Sequence, residues 1–251
     1  MDESRRSDKP RRHFLKSVGA LGAAVPTGAI AQQHAHGAAK GEKYMFLRPA
    51  EVAFLDAAVA RLIPADQLGP GAREAGVTYF IDQQLFGGFG TMAKMYRQGP
   101  HGEGTPQQGY QSPLTPQEVY RAAIGEIDAG CAKQYGQPFA KLATARQDEV
   151  LRALDESKFP LEAVPPRFFF NLLLDNTIEG FFSDPIYGGN RDKIGWKLVG
   201  FPGVAAVYTQ HVEKHGVPYD ALPVSIVDIL EGKAAVDETG HPKHVLLTRK
   251  D

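Results

Sequence analysis

The spacing of apolar residues constrains the fold of this 251-residue chain more than any other feature of its sequence. Apolar side chains recur at three- and four-residue steps in several segments, which is typical of helices with one buried face. The helices predicted in this way run from Pro49 to Pro64, from Val77 to Gly87, from Pro116 to Gly136 and from Thr144 through Leu154. No alternation of apolar and polar residues is long enough to build a sheet. The sequence therefore predicts a mainly α fold, a single irregular helical domain with long loops.

Capping-box spacing predicts where two helices start, and apolar composition predicts one further helix. Thr115 with Glu118, and Thr144 with Gln147, have the spacing of a capping box, in which side chains bind the free amides at a helix start. The segment 165–174 begins with two prolines and then contains three phenylalanines and three leucines. Because this segment is apolar on most sides, we expect it to form a central, buried helix.

The first 31 residues have the form of a twin-arginine (Tat) export signal, which directs proteins that fold before they cross the bacterial membrane. The residues that carry this interpretation are the basic and apolar positions Arg11, Arg12, Phe14, Leu15 and Lys16 and the small residues Ala29 and Ala31 of a signal-peptidase site. The uncharged run between them contains three glycines and Pro26, which disfavours a membrane-spanning helix. We therefore expect Tat export, cleavage after Ala31 and a periplasmic mature protein.

Composition limits what the 220 residues after this leader can do. The leader contains six basic and three acidic residues, so the remainder has a formal net charge of −4 and no basic field that would attract nucleic acid. The single cysteine, Cys131, cannot form an internal disulfide, attach a c-type haem or hold an iron–sulfur cluster alone. Its position on an apolar helix face predicts a buried, unreactive thiol. We expect no cofactor in this chain and no nucleic-acid partner.

Residues 175–203 contain more turn-forming and aromatic residues than a generic loop requires. The positions that we single out are Glu179, Gly180, Asp184, Pro185, Tyr187, Gly188, Gly189, Asn190, Trp196, Gly200, Phe201 and Pro202. Both Gly188 and Gly189 permit positive φ and Asn190 tolerates it, which predicts a sharp turn. The aromatic residues are typical of a partner-binding surface, but Trp196 could equally close the core.

This segment resembles the small (third) subunit of membrane-associated gluconate 2-dehydrogenase and of related flavin-dependent glucose and fructose dehydrogenases. The resemblance rests on the run from Thr177 to Asn190, on Gly195-Trp196 and on the run from Gly200 to Gly203. Three upstream motifs are similar to the first helical pair of that family: Leu62-Ile63-Pro64, Ala75-Gly76-Val77 and Phe80-Ile81-Asp82. The Tat leader is also typical of these small subunits.

The resemblance implies a heteromeric oxidoreductase. Its large subunit is a flavoprotein of the glucose-methanol-choline type that contains FAD, and a multihaem cytochrome c that contains haem c accepts electrons at the membrane. The small subunit is expected to be non-catalytic, to escort the flavoprotein through the Tat translocase and to stabilise it. Membrane association is then expected to come from the partner subunits, and the substrate is determined by the other chain.

Two alternative functions remain open from the residues alone. A stand-alone enzyme could use Asp175, Glu179 and Asp184 as paired carboxylates for acid–base catalysis. A metal-binding protein could use His211 and His215, which we expect to lie one turn apart on a helix that follows Gly203.

The sequence divides into four predicted parts. They are the signal peptide at residues 1–31, a flexible arm at 32–45, the helical domain at 46–216 and a C-terminal extension at 217–251.

Overall fold

The structure is a computed structural model that describes residues 43–102, 104–105, 108–204, 208–243 and 245. The predicted export signal, its cleavage site and most of the predicted arm lie outside the described residues.

Helices make up the regular structure of the described residues. The α-helices are α1 (Pro49–Leu62), α2 (Val77–Phe86), α3 (Pro116–Tyr135), α4 (Thr144–Asp155), α5 (Pro166–Phe182), α6 (Ile194–Val199) and α7 (Ile226–Leu230). Short 3-10 helices lie at Phe139–Lys141, Pro185–Tyr187, Arg191–Lys193 and Thr209–His211. The described residues contain isolated β-bridges but no β-strand. The prediction of a mainly α fold is therefore confirmed. None of the described helices combines the length and the apolar character that crossing a membrane requires.

One of the two predicted capping boxes is present. At the start of α3 the backbone amide of Thr115 donates to the Glu118 carboxylate at 2.7 Å, and the Glu118 amide donates to the Thr115 hydroxyl at 3.3 Å. The box at Thr144 was a wrong prediction, because Thr144 is already the first helical residue of α4. The Gln147 side chain instead donates to the carbonyl of Phe139 at 3.2 Å, so it ties α4 to the preceding 3-10 helix.

Helix α5 is the centre of the fold, as predicted. It contacts α1, α2, α3, α4 and α6, and one of its faces is fully buried. That face consists of residues at four-residue steps: Phe169, Leu173, Thr177 and Phe181. The other phenylalanines and leucines at its start are only half-buried, so the helix has one core face rather than a fully enclosed surface.

The buried apolar residues of α1 to α5 form one continuous core, which includes Cys131 of α3. Burial, and secondarily the charge of Asp128, raises the pKa of the Cys131 thiol to about 11. The predicted role of Cys131 as a small buried residue is confirmed.

Candidate functional site

The segment after α5 folds back onto the end of that helix through a series of tight turns. Asp184 starts the first turn, because its carboxylate accepts from the amide of Ile186 at 3.0 Å. Gly188 ends the 3-10 helix at φ 94°, and Gly200 ends α6 at φ 70°. These positive φ values explain two of the glycines that the sequence contains here.

Asn190 holds these turns together from the inside. It lies at φ 47° and is fully buried. Its side-chain amide donates to the carbonyl of Ser183 at 2.8 Å, and its side-chain oxygen accepts from the backbone amide of Gly195 at 2.8 Å. The predicted tolerance of positive φ is confirmed, but the sequence did not show that Asn190 also satisfies two buried backbone groups.

Gly189 is required for a different reason from the one predicted. Its φ is not positive, so Gly189 does not use the conformational freedom that the sequence indicated for it. A Cβ at this position would lie 2.2 Å from the carbonyl oxygen of Gly180. A Cβ at Gly195 would likewise lie 2.1 Å from the carbonyl oxygen of Phe181. Both glycines allow the returning chain to lie directly against the backbone of α5.

The upstream and downstream motifs of the sequence meet at this point. The amide of Arg191 donates to the carbonyl of Ala75 at 2.9 Å. A Cβ at Gly180 would lie 2.7 Å from the Phe80 ring, and one at Gly188 would lie 2.7 Å from the Tyr79 ring. Residues that are one hundred or more positions apart therefore form one contact region at α2 and the end of α5.

The aromatic residues of the segment divide into a buried group and an exposed group. Trp196 is 5% exposed, and its indole nitrogen donates to the carbonyl of Phe182 at 2.7 Å. The ring of Phe201, which is itself 45% exposed, packs edge-on against Trp196 at 5.2 Å between centroids. Tyr187, in contrast, is 54% exposed. Trp196 therefore closes the domain, while Tyr187 lies on the surface.

The carboxylates proposed as an acid–base pair have structural contacts instead. The two oxygens of Asp184 accept from different backbone amides, those of Ile186 at 3.0 Å and Ile226 at 2.8 Å. Glu179 accepts from the side-chain amide of Asn176 at 3.0 Å. Asp184 is thus engaged in joining the segment to α7, and Asp175 is exposed on the outer face of α5.

Asn176 also links Glu179 to the core. The hydroxyl of Tyr120, which is fully buried, donates to the side-chain oxygen of Asn176 at 2.8 Å. Burial raises the pKa of Tyr120 well above its ordinary value, and the charges of Glu179 and Asp175 act in the same direction. Tyr120 is therefore a permanent donor, and the chain from Tyr120 through Asn176 fixes the position of Glu179.

The helix predicted to carry His211 and His215 is absent. His211 ends a short 3-10 helix and packs against the ring of Tyr219 at 5.0 Å between centroids. His215 lies in the turn before Gly216, so the two imidazoles do not share a helix face. Among the residues that the structure describes, no three His, Cys, Asp or Glu side chains are grouped so that they could hold a metal ion.

The predicted C-terminal extension packs on one side of residues 175–203, which we call the motif. The amide of Val204 donates to the carbonyl of Val224 at 2.8 Å. The ammonium group of Lys193 lies 2.6 Å from the carboxylate of Asp228, and this carboxylate also accepts from Ser225 at the start of α7. The sequence did not reveal the Lys193–Asp228 ion pair. The capping box was also overlooked, although Ser225 and Asp228 have its spacing.

Another part of the motif forms an open, shallow cleft between α2 and α5. Its walls come from Phe80 and Gln84 of α2, from Ile178, Glu179 and Phe182 of α5, and from Ser183 and Tyr187. Four of these residues are large apolar or aromatic side chains. This α2–α5 cleft is a candidate for binding another apolar surface.

Comparison with known proteins gives one match. The sequence model of a family described as Gluconate 2-dehydrogenase subunit 3 matches residues 49–203. No curated protein and no solved structure shows a significant match. The matched range begins with α1 and ends at Gly203, so it includes the motif and the α2–α5 cleft.

Proposed function

The chain belongs to the gluconate 2-dehydrogenase subunit 3 family, and we propose that it is the non-catalytic small subunit of a periplasmic, membrane-associated, FAD-dependent dehydrogenase of sugars or sugar acids. In this proposal the FAD is bound by a large flavoprotein subunit of the glucose-methanol-choline type. Haem c is bound by a multihaem cytochrome c in complexes that contain one. The small subunit escorts the flavoprotein through the Tat translocase and stabilises it.

The observation that carries the proposal is the family match across α1 to α6. Membership makes the chain a subunit of a dehydrogenase complex. The roles of the 175–203 residues are consistent with a structural subunit, because Asp184 and Asn190 direct their polar atoms to backbone groups of the same chain.

The escort role is supported by the pair Arg11 and Arg12 in the leader. The Tat pathway moves proteins that have already folded, and a flavoprotein must fold around its cofactor before export. A leader on the small subunit would serve both chains if they assemble in the cytoplasm. The flavoprotein is then expected to have no leader of its own.

Substitution of the twin arginines tests the escort role. The double variant Arg11→Lys, Arg12→Lys keeps the charge but removes the guanidinium groups, which lysine does not replace in a bidentate site. We expect both this chain and the flavoprotein to remain in the cytoplasm when cell fractions are probed for each subunit.

The leader offers its own matched control. Arg5 and Arg6 form a second arginine pair that lacks the Phe-Leu-Lys residues behind it. The variant Arg5→Lys, Arg6→Lys should export both chains normally. If the flavoprotein still reaches the periplasm when Arg11 and Arg12 are replaced, this chain is not its escort.

A further inference from the structure

We propose that the α2–α5 cleft is the surface on which the flavoprotein subunit docks, and that the flavoprotein inserts a basic side chain flanked by apolar residues. This inference rests on the proposed function, because it assigns a place on the chain to the partner that the function requires.

Three of the exposed apolar residues of the motif lie at this cleft, while Leu198, Val199 and Phe201 are exposed outside it. Ile178 is 44% exposed, Phe182 is 38% exposed and Tyr187 is 54% exposed. All three line the cleft together with the ring of Phe80, which is almost fully buried and forms its floor. Large aromatic side chains around a pocket are the usual anchors of protein–protein binding, since they bury much area and lose little conformational entropy.

Another part of the motif is already covered by the chain itself. The C-terminal segment binds there through the Val204–Val224 hydrogen bond, the Asp184–Ile226 hydrogen bond and the Lys193–Asp228 ion pair. Trp196 is enclosed on that side and offers no surface to a partner. The α2–α5 cleft is therefore a part of the motif that the chain itself leaves open.

The charge of the cleft indicates what the partner must present. Glu179 is exposed in the cleft wall, and it accepts a hydrogen bond from the neutral side-chain amide of Asn176. None of the described residues forms an ion pair with Glu179. Asp175, one turn earlier on α5, adds a second exposed negative charge. An arginine or lysine of the partner would complement both carboxylates.

Glu179 is also held in place before any partner arrives. The chain of hydrogen bonds from Tyr120 through Asn176 fixes its carboxylate from the core side. A charged group that is already positioned loses little side-chain entropy when it binds a partner. The cleft therefore combines apolar anchors with one pre-positioned acceptor.

The test measures binding between this chain and a glucose-methanol-choline-type flavoprotein from the same cells, after co-expression of the two full chains. The first variant is Tyr187→Ala, which removes an exposed ring that lines the cleft. We expect it to raise the Kd about thirtyfold, which corresponds to ~2 kcal/mol. The second is Glu179→Gln, which keeps the acceptor for Asn176 but removes the charge. We expect it to weaken binding and to make the Kd less dependent on salt concentration.

Leu230→Ala and Val212→Ala are matched controls, because both residues are more than 60% exposed and neither lines the cleft. They should bind as the wild type does. Each variant should keep the helical circular dichroism and the Tm of the wild type. If Tyr187→Ala fails to fold, Glu179→Gln still decides the question, since it preserves every contact seen in the free chain.

The outcomes separate the two proposals. If the wild-type chain does not bind the flavoprotein, the proposed function fails. If the wild type binds and both cleft variants bind equally well with an unchanged salt dependence, only the docking site is wrong. A change in the oligomeric state of the isolated chain, with flavoprotein binding unaffected, would assign the cleft to a second copy of this chain and would overturn the inference.

Discussion

Tyr187 and Trp196 are both aromatic residues of the same short motif, yet their environments are opposite. Trp196 donates its indole hydrogen to a backbone carbonyl and is enclosed by Phe201 and Gly203. Tyr187 projects from a 3-10 helix into solvent. The sequence left the role of Trp196 open between core and interface. Helical spacing could not decide it, because the covering residues Phe201 and Gly203 lie outside the helices rather than on a periodic helix face.

Substitutions of Tyr187 and Trp196 test this difference through the stability of the fold. Trp196→Ala removes a buried ring and its hydrogen bond, so we expect it to lower the free energy of unfolding by ~3–5 kcal/mol. Tyr187→Ala removes only exposed area, so its effect should remain within about 0.5 kcal/mol. Urea denaturation followed by circular dichroism measures both values. Equal losses for the two variants would contradict the assignment of Trp196 to the core.

At the scale of elements, the returning segment 188–195 depends on close backbone contact with α5. The sequence identified the glycines of this segment but attributed Gly189 to a positive φ. The actual cause is the 2.2 Å approach that a Cβ would make to the carbonyl of Gly180. A glycine required for close approach has no local signature, since the atom that it must avoid belongs to a different element.

Two alanine substitutions with opposite expected signs test this explanation. Gly189→Ala forces the segment away from α5, and we expect a loss of ~1–3 kcal/mol in the free energy of unfolding. Gly125→Ala lies within α3, where a Cβ would meet nothing within 4 Å. We expect it to stabilise the chain by roughly 0.5–1 kcal/mol, because alanine is a better helix former than glycine. A Gly189→Ala variant as stable as the wild type would show that the segment is not held against the helix.

The helices themselves could largely be predicted from the sequence. The apolar stripes of α1, α2 and α3 predicted these helices. Their ends could be predicted where proline, Thr115 or Gly136 starts or stops a helix through contacts within the adjacent turn. The helix expected around His211 and His215 fails for the opposite reason. That segment lies mostly exposed and has few buried apolar residues, so helical spacing alone does not stabilise it.

At the scale of the whole molecule, both ends of the described chain are attached to the helical core. Near the N-terminal end, the amides of Met45, Phe46 and Leu47 donate to the buried carboxylate of Asp82 at 2.8–3.0 Å. Near the C-terminal end, Asp228 binds Lys193 and Ser225. The contacts to Asp82 and the Lys193–Asp228 ion pair join residues at least 35 positions apart, and for that reason the sequence pattern did not reveal them.

The Asp228 contact makes stability depend on pH. Burial alone would raise the pKa of Asp228, but the hydrogen bonds from Lys193 and Ser225 and the charge of Lys193 lower it below the ordinary value of 3.8. A carboxylate with a lowered pKa in the folded state stabilises the fold above its unfolded pKa and loses that contribution as the pH falls through the folded pKa.

The variant Asp228→Asn removes this contribution at all pH values. We expect the difference in the free energy of unfolding between wild type and variant to be constant from neutral pH to about pH 5 and to shrink below about pH 4. Urea titrations at a series of pH values provide the measurement. A difference that stays constant or increases toward acid pH would contradict the lowered pKa.

The match to a dehydrogenase subunit family makes the whole molecule one part of a larger assembly. Association of this chain with a flavoprotein is tested most directly by purifying it from solubilised membranes through a tag at its C-terminus. Size-exclusion chromatography with light scattering then gives the mass of the species. We expect a complex much heavier than the 27.3 kDa chain, with flavin absorbance and with sugar or sugar-acid dehydrogenase activity toward an artificial electron acceptor. A tagged chain that elutes at its own mass, without flavin and without activity, would contradict the proposed function.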